Sequence, residues 1–239
     1  MQRPDRSSEE FAGEVRGMFD RIAGVYDLMN SAMTAGLHHT WRARAVELTR
    51  VGPGSDALDI CCGTGDLALA LRRAIGPEGR VIGSDFSEPM LELARAKAGK
   101  DGERVEFEWA DALELPYEDD SFDAVTVGFG ARNLADLDLG LREMARVLRP
   151  GGRLVILEIT RPQRQPLASF YSLWFDRLIP MLGSLAGDSE AYSYLPESVR
   201  SFPDPNSLAA KMEAGGFERI RWLLLAGGII AIHSADRAA

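Results

Sequence analysis

Short apolar stretches alternate with amphipathic ones between residues 56 and 159, and this alternation constrains the fold most strongly. The apolar stretches have the length of strands, whereas the stretches between them place apolar residues at helical spacing. Strands separated by single helices form a parallel sheet with right-handed crossovers. The predicted strands are Asp56–Cys61, Arg80–Asp85, Val105–Trp109, Phe122–Gly128 and Arg153–Ile159.

The helices between these strands carry recognisable start and stop residues. Asp66–Ala74 is entered through glycines, and Ser87 is placed to cap Glu88–Ala98. Leu137–Leu148 is followed by Pro150-Gly151-Gly152, which predicts that the helix stops there. Further helices are expected before the first strand, within residues 8–50.

A glycine-rich turn, Asp59-Ile60-Cys61-Cys62-Gly63-Thr64-Gly65, follows the first predicted strand. Gly63 and Gly65 allow the backbone to turn tightly and a ligand to approach closely. Asp85 ends the next strand about twenty residues on, where an acid accepts hydrogen bonds from a ribose. The turn alone leaves three alternatives open: a methyl-donor site, a dinucleotide site of an NAD-dependent oxidoreductase, or a structural turn without ligand.

Two acidic residues favour S-adenosylmethionine as the ligand. Asp59 stands four residues before Gly63 and can meet the charged amino end of a bound amino acid, whereas a pyrophosphate gains nothing from a carboxylate. Asp111 follows the third strand, where it can accept the exocyclic amine of adenine.

The end of the chain supports the same interpretation. Phe217–Leu225 and Gly228–His233 are apolar and joined by Ala226-Gly227-Gly228, which predicts an antiparallel hairpin. A mostly parallel seven-stranded sheet with such a hairpin is typical of class I S-adenosylmethionine-dependent methyltransferases, so we predict this Rossmann-like α/β fold. The predicted cofactor-binding residues are Tyr26, Asp59, Gly63, Thr64, Gly65, Asp85, Phe86, Asp111, Ala112 and Gly128.

Composition excludes several other classes. The 239 residues are 46% apolar, which suits one globular domain with a sizeable core. A net charge of −9 argues against a nucleic-acid partner, because phosphate contacts need clustered Lys and Arg. The two cysteines, Cys61 and Cys62, are adjacent and ill-suited to a disulfide, which favours a reduced compartment such as the cytoplasm. We find neither a signal peptide nor an apolar run of membrane-spanning length.

Several motifs resemble those of the ubiquinone/menaquinone-biosynthesis C-methyltransferases. The matching segments are Tyr26-Asp27-Leu28-Met29-Asn30 with His38 and Trp41, Phe129–Asn133, Arg146–Gly152 running on to Glu158, and Asp188–Leu195. The resemblance covers roughly residues 17 to 233. Thr34 and Thr160 stand where this family usually has Ser, and Arg149 where Lys is common, but each keeps a hydroxyl or a charge. The Cys61-Cys62 pair resembles the menaquinone branch.

The resemblance implies C-methylation of a prenylated naphthoquinol, demethylmenaquinol to menaquinol; a ubiquinone precursor or another small molecule is the alternative. Arg132 follows the fourth strand, where its guanidinium would stabilise a developing naphtholate. Asn133 would orient the substrate oxygen or a water. His38 would accept the hydroxyl proton with an ordinary imidazole pKa, with a packing role as the alternative.

Three tyrosines are further candidates. Tyr26 is expected to contact the cofactor from the N-terminal helices, through its ring or hydroxyl near the sulfonium. Tyr192 and Tyr194 are expected to line the quinol pocket. His39 is expected at the surface and His233 at the edge of the sheet, and the spacing of histidines and cysteines predicts no metal site.

Residues 167–187 contain only two charges, Asp176 and Arg177, and are broken by Pro180 and Gly183. They are expected to form core, a homodimer contact, or a docking surface for the isoprenoid tail that touches the inner face of the membrane peripherally. The chain is predicted to be a single methyltransferase domain, 1–239, with a helical lid at 8–50, a cofactor-binding core at 51–159, an apolar insertion for substrate at 160–207, and a C-terminal helix and hairpin at 208–235.

Overall fold

The computed structural model describes residues 8–102, 104–162 and 189–239. Its first three helices are α1 (Ser8–Ile22), α2 (Tyr26–Thr34) and α3 (Leu37–Thr49), here called the lid. A 3-10 turn separates α1 from α2, yet the apolar spacing continues across it. Side chains of α1 and α2 therefore share one cluster: Met18, Phe19, Ile22, Tyr26 and Met29.

The core alternates strands and helices as the sequence predicts. Arg80–Asp85, Phe122–Gly128 and Phe217–Leu225 have the predicted bounds, and the other elements shift by a few residues at their ends. The elements are β1 (Asp56–Ile60), α4 (Asp66–Ile75), β2 (Arg80–Asp85), α5 (Glu88–Asp101), β3 (Glu106–Trp109), β4 (Phe122–Gly128), α6 (Leu137–Val147), β5 (Leu148–Ile159), α7 (Ser189–Ser201), α8 (Pro205–Ala214), β6 (Phe217–Leu225) and β7 (Ile230–Arg237).

The strands form one seven-stranded sheet in the order β3-β2-β1-β4-β5-β7-β6. The first five strands pair in parallel, whereas β7 runs antiparallel to both β5 and β6. Apolar clusters pack on the two faces of the sheet, with Leu58 and Ile156 on one face and Ala57 and Leu157 on the other. The predicted fold class is confirmed.

The helix stops before Pro150 as predicted, but the fifth strand begins earlier than the predicted Arg153. α6 ends at Val147, and β5 begins at once and runs through Pro150, Gly151 and Gly152. The pairing of β4 with β5 is irregular here, so the additional residues of β5 bulge out of the ladder. Glycine is required because a Cβ on Gly152 would lie 2.8 Å from the carbonyl oxygen of Arg149. A bulge also accommodates a proline, which cannot donate to a ladder.

The expectation that His233 packs at the edge of the sheet is wrong, because β7 lies between β5 and β6. The side chain is 1% exposed and its Nε2 lies 2.9 Å from the carbonyl oxygen of Pro205. Burial lowers the pKa of His233, so the neutral ring donates this hydrogen bond. β6 is the edge strand instead, with Trp222 and Leu224 partly exposed.

Arg153 joins the lid to the sheet through a buried ion pair and a hydrogen bond. The Arg153 guanidinium on β5 binds Asp236 on β7, and its Nη2 donates to Ser234 at 3.1 Å. Its Nε donates to the carbonyl oxygen of Leu48 at 3.0 Å, near the end of α3. One side chain therefore fixes the last turn of the lid against two strands.

Part of the predicted insertion, including all of residues 167–187, lies outside the described residues. Within the described part of residues 160–207, α7 packs Val199 against the lid cluster, and Asp204 caps α8 by accepting from the amide of Ser207 at 2.9 Å. None of the helices described here has the length and apolarity needed to cross a membrane.

We expect Gly65→Ala to lower the free energy of unfolding by about 2–4 kcal/mol, from a left-handed backbone and overpacking. Gly65 has φ +83°, and a Cβ there would lie 2.8 Å from Cζ of Phe107 and 3.0 Å from Cβ of Ala94. Gly99→Ala in α5 is the matched control, since nothing lies within 4 Å of its Cβ. That helical substitution should raise stability by up to about 1 kcal/mol. Equal effects of both variants in urea unfolding would contradict the argument.

Candidate active site

A cleft lies at the carboxyl edge of the sheet, where the loops after β1, β2, β3 and β4 meet. Phe19 and Tyr26 of the lid line it on one side, and Asn133 lines it after β4. The strand order reverses between β1 and β4. Open α/β sheets bind their ligands at such a switch point.

The turn after β1 forms part of the cleft wall through Cys61 and Gly63. Both residues have φ +54°, so this backbone is left-handed. A Cβ on Gly63 would lie 4.0 Å from Cε1 of Tyr26, which places the lid directly over the turn. The glycine leaves the turn's backbone open to the cleft.

Sequence reasoning missed Cys61 as a residue of the cleft wall. Its Cβ would lie 2.4 Å from a Cβ on Gly130, so the turns after β1 and β4 approach closely only because residue 130 is glycine. Burial raises the pKa of the Cys61 thiol well above its usual value. The thiol therefore stays protonated and forms an uncharged part of the wall.

Asp85 joins the first two turns. Its Oδ2 accepts from the amide of Gly63 at 2.8 Å, and its Oδ1 accepts from the amide of Ser87 at 2.9 Å. Burial raises the pKa of Asp85 to about 6, against opposing hydrogen bonds from the backbone. At neutral pH the group is thus a carboxylate, which can also accept from ribose hydroxyls.

Seven of the ten predicted cofactor-binding residues line this one cleft. They come from the lid and from the turns after four strands: Tyr26, Gly63, Asp85, Phe86, Asp111, Ala112 and Gly128. The other three do not line it. Gly65 packs against Phe107, and Thr64 donates to Asp27 of the lid at 2.6 Å.

Asp59 is the third residue outside the cleft wall. Its side chain is buried beneath the turn, and Oδ1 accepts from the hydroxyl of Thr126 at 2.6 Å. Its Oδ2 is buried without a hydrogen-bond partner among the described residues. Burial beneath the cofactor turn raises the pKa of Asp59 to about 7, because the carboxylate loses its hydration there. Keeping this group ionised therefore costs folding free energy.

Arg132 lies in a 3-10 turn after β4 and is 7% exposed. Its Nη1 donates to Oε1 of Glu158 and to the carbonyl oxygen of Phe129, both at 2.6 Å. Burial opposes the charge, but Glu158 outweighs it and raises the pKa of Arg132. The guanidinium is therefore a permanent cation behind the wall that Phe129, Gly130 and Asn133 form.

Glu158 is the main residue that sequence reasoning left without a role. It sits next to the end of β5 and is 1% exposed. Besides the guanidinium, it accepts from the amides of Arg132 at 3.3 Å and of Ile159 at 2.8 Å. In the sequence it is an acid near the end of a predicted apolar strand and of the motif that starts at Arg146, and neither feature reveals its partner.

Tyr194 connects α7 to the cleft wall. Its hydroxyl donates to Oδ1 of Asn133 at 3.0 Å, which brings α7 to the wall of the cleft. Tyr26 and Tyr194 both lie close enough to influence the charge of Arg132. Tyr192 belongs to α7, but its side chain lies outside the described part of the structure.

The expectation of an ordinary imidazole pKa for His38 is wrong. The ring is 2% exposed and does not line the cleft. Burial, with the nearby charge of Arg42, lowers the pKa of His38 to about 4. Arg42 can only donate, so Nδ1 accepts its hydrogen bond at 2.5 Å, and Nε2 donates to Ser31 at 3.2 Å. The alternative packing role fits these contacts.

His38, His39 and Asp66 do bring potential metal-ligating atoms within 4.8 Å of one another. The Arg42 guanidinium already occupies the space between two of them, 2.5 Å from Nδ1 of His38 and 3.0 Å from Oδ2 of Asp66. A fixed positive charge at that point disfavours a metal cation.

The fold and the cleft together define the class of protein. The sheet has a C-terminal antiparallel strand inserted between β5 and β6, and Gly63, Asp85 and Asp111 line one cleft at its carboxyl edge. The chain is a class I S-adenosylmethionine-dependent methyltransferase.

The amino-acid sequence matches the model of the ubiE/COQ5 methyltransferase family over residues 6–237. The chain belongs to this family. A ubiquinone/menaquinone biosynthesis C-methyltransferase UbiE of Teredinibacter turnerae is 42% identical over 230 residues, which cover 95% of this chain and 92% of the relative. A demethylmenaquinone methyltransferase of Thermus thermophilus is 48% identical over 221 residues, 92% of this chain and 100% of the relative.

Solved structures agree on the fold. A SAM-dependent methyltransferase from Aquifex aeolicus superposes with a TM-score of 0.62 at 20% identity, covering 82% of this chain and 89% of the other. With the match to the family, this confirms S-adenosylmethionine as the cofactor.

We expect Asp59→Asn to stabilise the cofactor-free protein more at pH 8 than at pH 5. The folded chain holds the Asp59 proton up to a pKa of about 7, against an ordinary value of 3.8. Wild-type stability from this group is therefore complete below pH 4 and falls as the pH rises through 4 to 7. Asparagine removes the charge, and the gain at pH 8 should be about 1–3 kcal/mol.

Urea unfolding of both proteins at the two pH values measures this difference, and any shared contribution from Asp85 cancels. Asp101→Asn at the surface is the control and should change stability by less than about 0.5 kcal/mol at either pH. A gain from Asp59→Asn that is the same at pH 5 and pH 8 would contradict a buried, unpaired charge.

Proposed function

We propose that this enzyme methylates a ring carbon of a prenylated quinol, converting demethylmenaquinol to menaquinol. The observation that carries the proposal is a group of four residues at the cleft wall. Tyr26 and Asn133 line the cleft, Tyr194 bonds Asn133, and both tyrosines lie close enough to Arg132 to influence its charge. The names of its relatives support a quinone substrate, and the relative from Thermus thermophilus, at 48% identity, is named for demethylmenaquinone. The relative from Teredinibacter turnerae is named for both quinones, so a ubiquinone precursor is the second candidate.

Bound S-adenosylmethionine supplies an activated methyl group, and the protein must make the acceptor carbon electron-rich. Ionising a ring hydroxyl, with its proton passing to water, does this, because the ortho carbon then carries enolate-like charge. After the methyl group is transferred, the proton on that carbon is also lost to water and the ring regains its aromaticity. A phenolic hydroxyl has a pKa of about 10, so the site must favour the anion. Arg132 provides a fixed cation whose Nε has no partner among the described residues. The Glu158 carboxylate holds this cation in one orientation.

The neighbouring polar groups orient the acceptor. Asn133 lines the cleft and presents an amide whose Oδ1 is fixed by the hydroxyl of Tyr194. Its amide nitrogen is then directed to donate to a ring oxygen of the substrate. Holding the acceptor carbon in line with the methyl group lowers the activation free energy, by roughly 7–11 kcal/mol in well-oriented systems.

The isoprenoid tail requires an apolar surface beyond this cleft. We assign that role to residues 167–187, which lie outside the described residues and contain only two charges. This assignment includes peripheral contact with a membrane from which the tail is drawn.

Purified enzyme should transfer the methyl group from S-adenosylmethionine to reduced demethylmenaquinone, giving menaquinone detectable by mass spectrometry. Loss of the gene should cause a demethylated naphthoquinone to accumulate. Transfer to the benzoquinol precursor alone would favour the ubiquinone candidate. If the enzyme binds S-adenosylhomocysteine but methylates neither quinol, a quinol substrate is rejected.

Paired variants test whether the charge of Arg132 is catalytic. Glu158→Gln leaves a buried guanidinium without its counter-charge and should cost about 3–5 kcal/mol of stability. The double variant Arg132→Met/Glu158→Gln should recover most of that loss, since no buried charge remains. Quinol methylation by the double variant should nevertheless fall roughly 10²–10³-fold, as for removal of one electrostatic stabiliser.

The measurements are urea unfolding, kcat with saturating cofactor, and affinity for S-adenosylhomocysteine. The affinity should stay near the wild-type value, because Arg132 lies behind the cleft wall and is not among the residues that line it. A stable double variant with wild-type kcat would eliminate charge stabilisation by Arg132.

A further inference from the structure

Three side chains join the lid to the cofactor turn through a closed set of contacts. The Thr64 hydroxyl in the turn donates to Oδ1 of Asp27 at 2.6 Å. Nζ of Lys97 on α5 donates to the same hydroxyl at 3.0 Å and lies 2.7 Å from Oδ2 of Asp27. Asp27 is thus held by two donors at once. We call these three residues the latch.

A chain of charged groups connects the latch to α4 and α3. Nζ of Lys97 lies 2.6 Å from Oδ1 of Asp66, and Oδ2 of Asp66 lies 3.0 Å from Nη1 of Arg42. Burial opposes ionisation of Asp66, but Arg42 and Lys97 outweigh it and lower the pKa of this carboxyl. Arg42 in turn holds His38, whose other ring nitrogen bonds Ser31 on α2. The network therefore contacts α2 at two residues, Asp27 and Ser31, which lie one helical turn apart.

Polar contacts matter for α2 because hydrophobic burial contributes little to its position. None of its residues is fully buried, and Leu28 is 73% exposed. Helices in proteins usually gain most of their stability from packing an apolar face. Tyr26 and Met29 of this nine-residue helix pack only partly buried against the lid cluster, so its position depends more on such specific attachments.

The next residue after Tyr26 in the chain is Asp27, so the latch also fixes Tyr26. Tyr26 lines the cleft and its ring lies over Gly63. A second contact of the same type lies nearby, where the Ser87 hydroxyl donates to Asp20 of α1 at 2.5 Å. The lid is thereby attached to both turns that Asp85 joins.

We propose that Asp27 and Lys97 are positioning residues that close α2 over the bound cofactor and hold Tyr26 against it. Neither residue lines the cleft, so both act through Thr64 and Tyr26. Side chains of Asp27 and Lys97 are 47% and 27% exposed, so water competes for the ion pair and the latch can open for cofactor exchange. The inference rests on the proposed function only in taking Tyr26 as a cofactor contact.

Titration calorimetry of the full-length enzyme with S-adenosylhomocysteine tests the latch. Asp27→Ala and Lys97→Met should each weaken the affinity about tenfold, within the usual range of coupling between sites. Amide hydrogen exchange in residues 26–34 should slow when wild-type enzyme binds this ligand and stay fast in Asp27→Ala. Lys97→Met keeps the bond between Thr64 and Asp27, so it reports on the latch if Asp27→Ala folds poorly.

Arg44→Ala is the matched control on the lid. It breaks an exposed ion pair with Glu47 on α3 that has no connection to the turn. The control should retain wild-type affinity and wild-type exchange in α2. An equal loss of affinity in Arg44→Ala would show general loosening of the lid and would overturn the proposal.

A double-mutant cycle separates the latch from the assignment of Tyr26. If Asp27 acts through Tyr26, Tyr26→Ala/Asp27→Ala should bind no more weakly than Tyr26→Ala alone. Full additivity would overturn the positioning role. Weakening by Tyr26→Ala but not by the latch variants would reject the latch and keep the tyrosine assignment. No effect of either would reject both.

Discussion

The Asp85 carboxylate is the group on which the active site depends. By accepting from the amides of Gly63 and Ser87, it fixes two turns that belong to different strands. Burial makes this carboxyl harder to ionise, as its raised pKa of about 6 shows. The lid attaches to the same two turns, through Thr64 and through Ser87, so Asp85 fixes the two turns on which the lid is held.

A second feature lies after β4, where a pair of charged side chains is close to the cleft wall but does not line it. Arg132 and Glu158 are both nearly inaccessible and neutralise each other. Such a pair offers little net stability, since desolvation offsets attraction. What the pair provides is orientation, because Glu158 keeps the cation from turning away. In the function that we propose, this fixed cation presents the same field to each substrate molecule.

Local patterns in the sequence predicted most of the fold, because strand length, helix caps and glycine turns are encoded by neighbouring residues. Ser87 caps α5 as predicted, and seven of ten predicted cofactor residues line one cleft. Pairings between residues that are distant in the sequence were harder to predict. The burial of His233 depends on β7 lying in the sheet between β5 and β6. The role of Glu158 depends on its ion pair with Arg132, 26 residues away in the sequence. His38 belongs to a family motif, yet its contacts serve the lid.

The position of β7 has a consequence for how the protein is made. β5 is complete at Ile159, but its partner on one side begins only at Ile230. Until those residues leave the ribosome, β5 has an unpaired edge that carries Leu154, Val155 and Ile156. Exposed apolar edges promote association between nascent chains. The strand that joins β5 to β6 is therefore made after both of its neighbours, and this edge of β5 stays open until then.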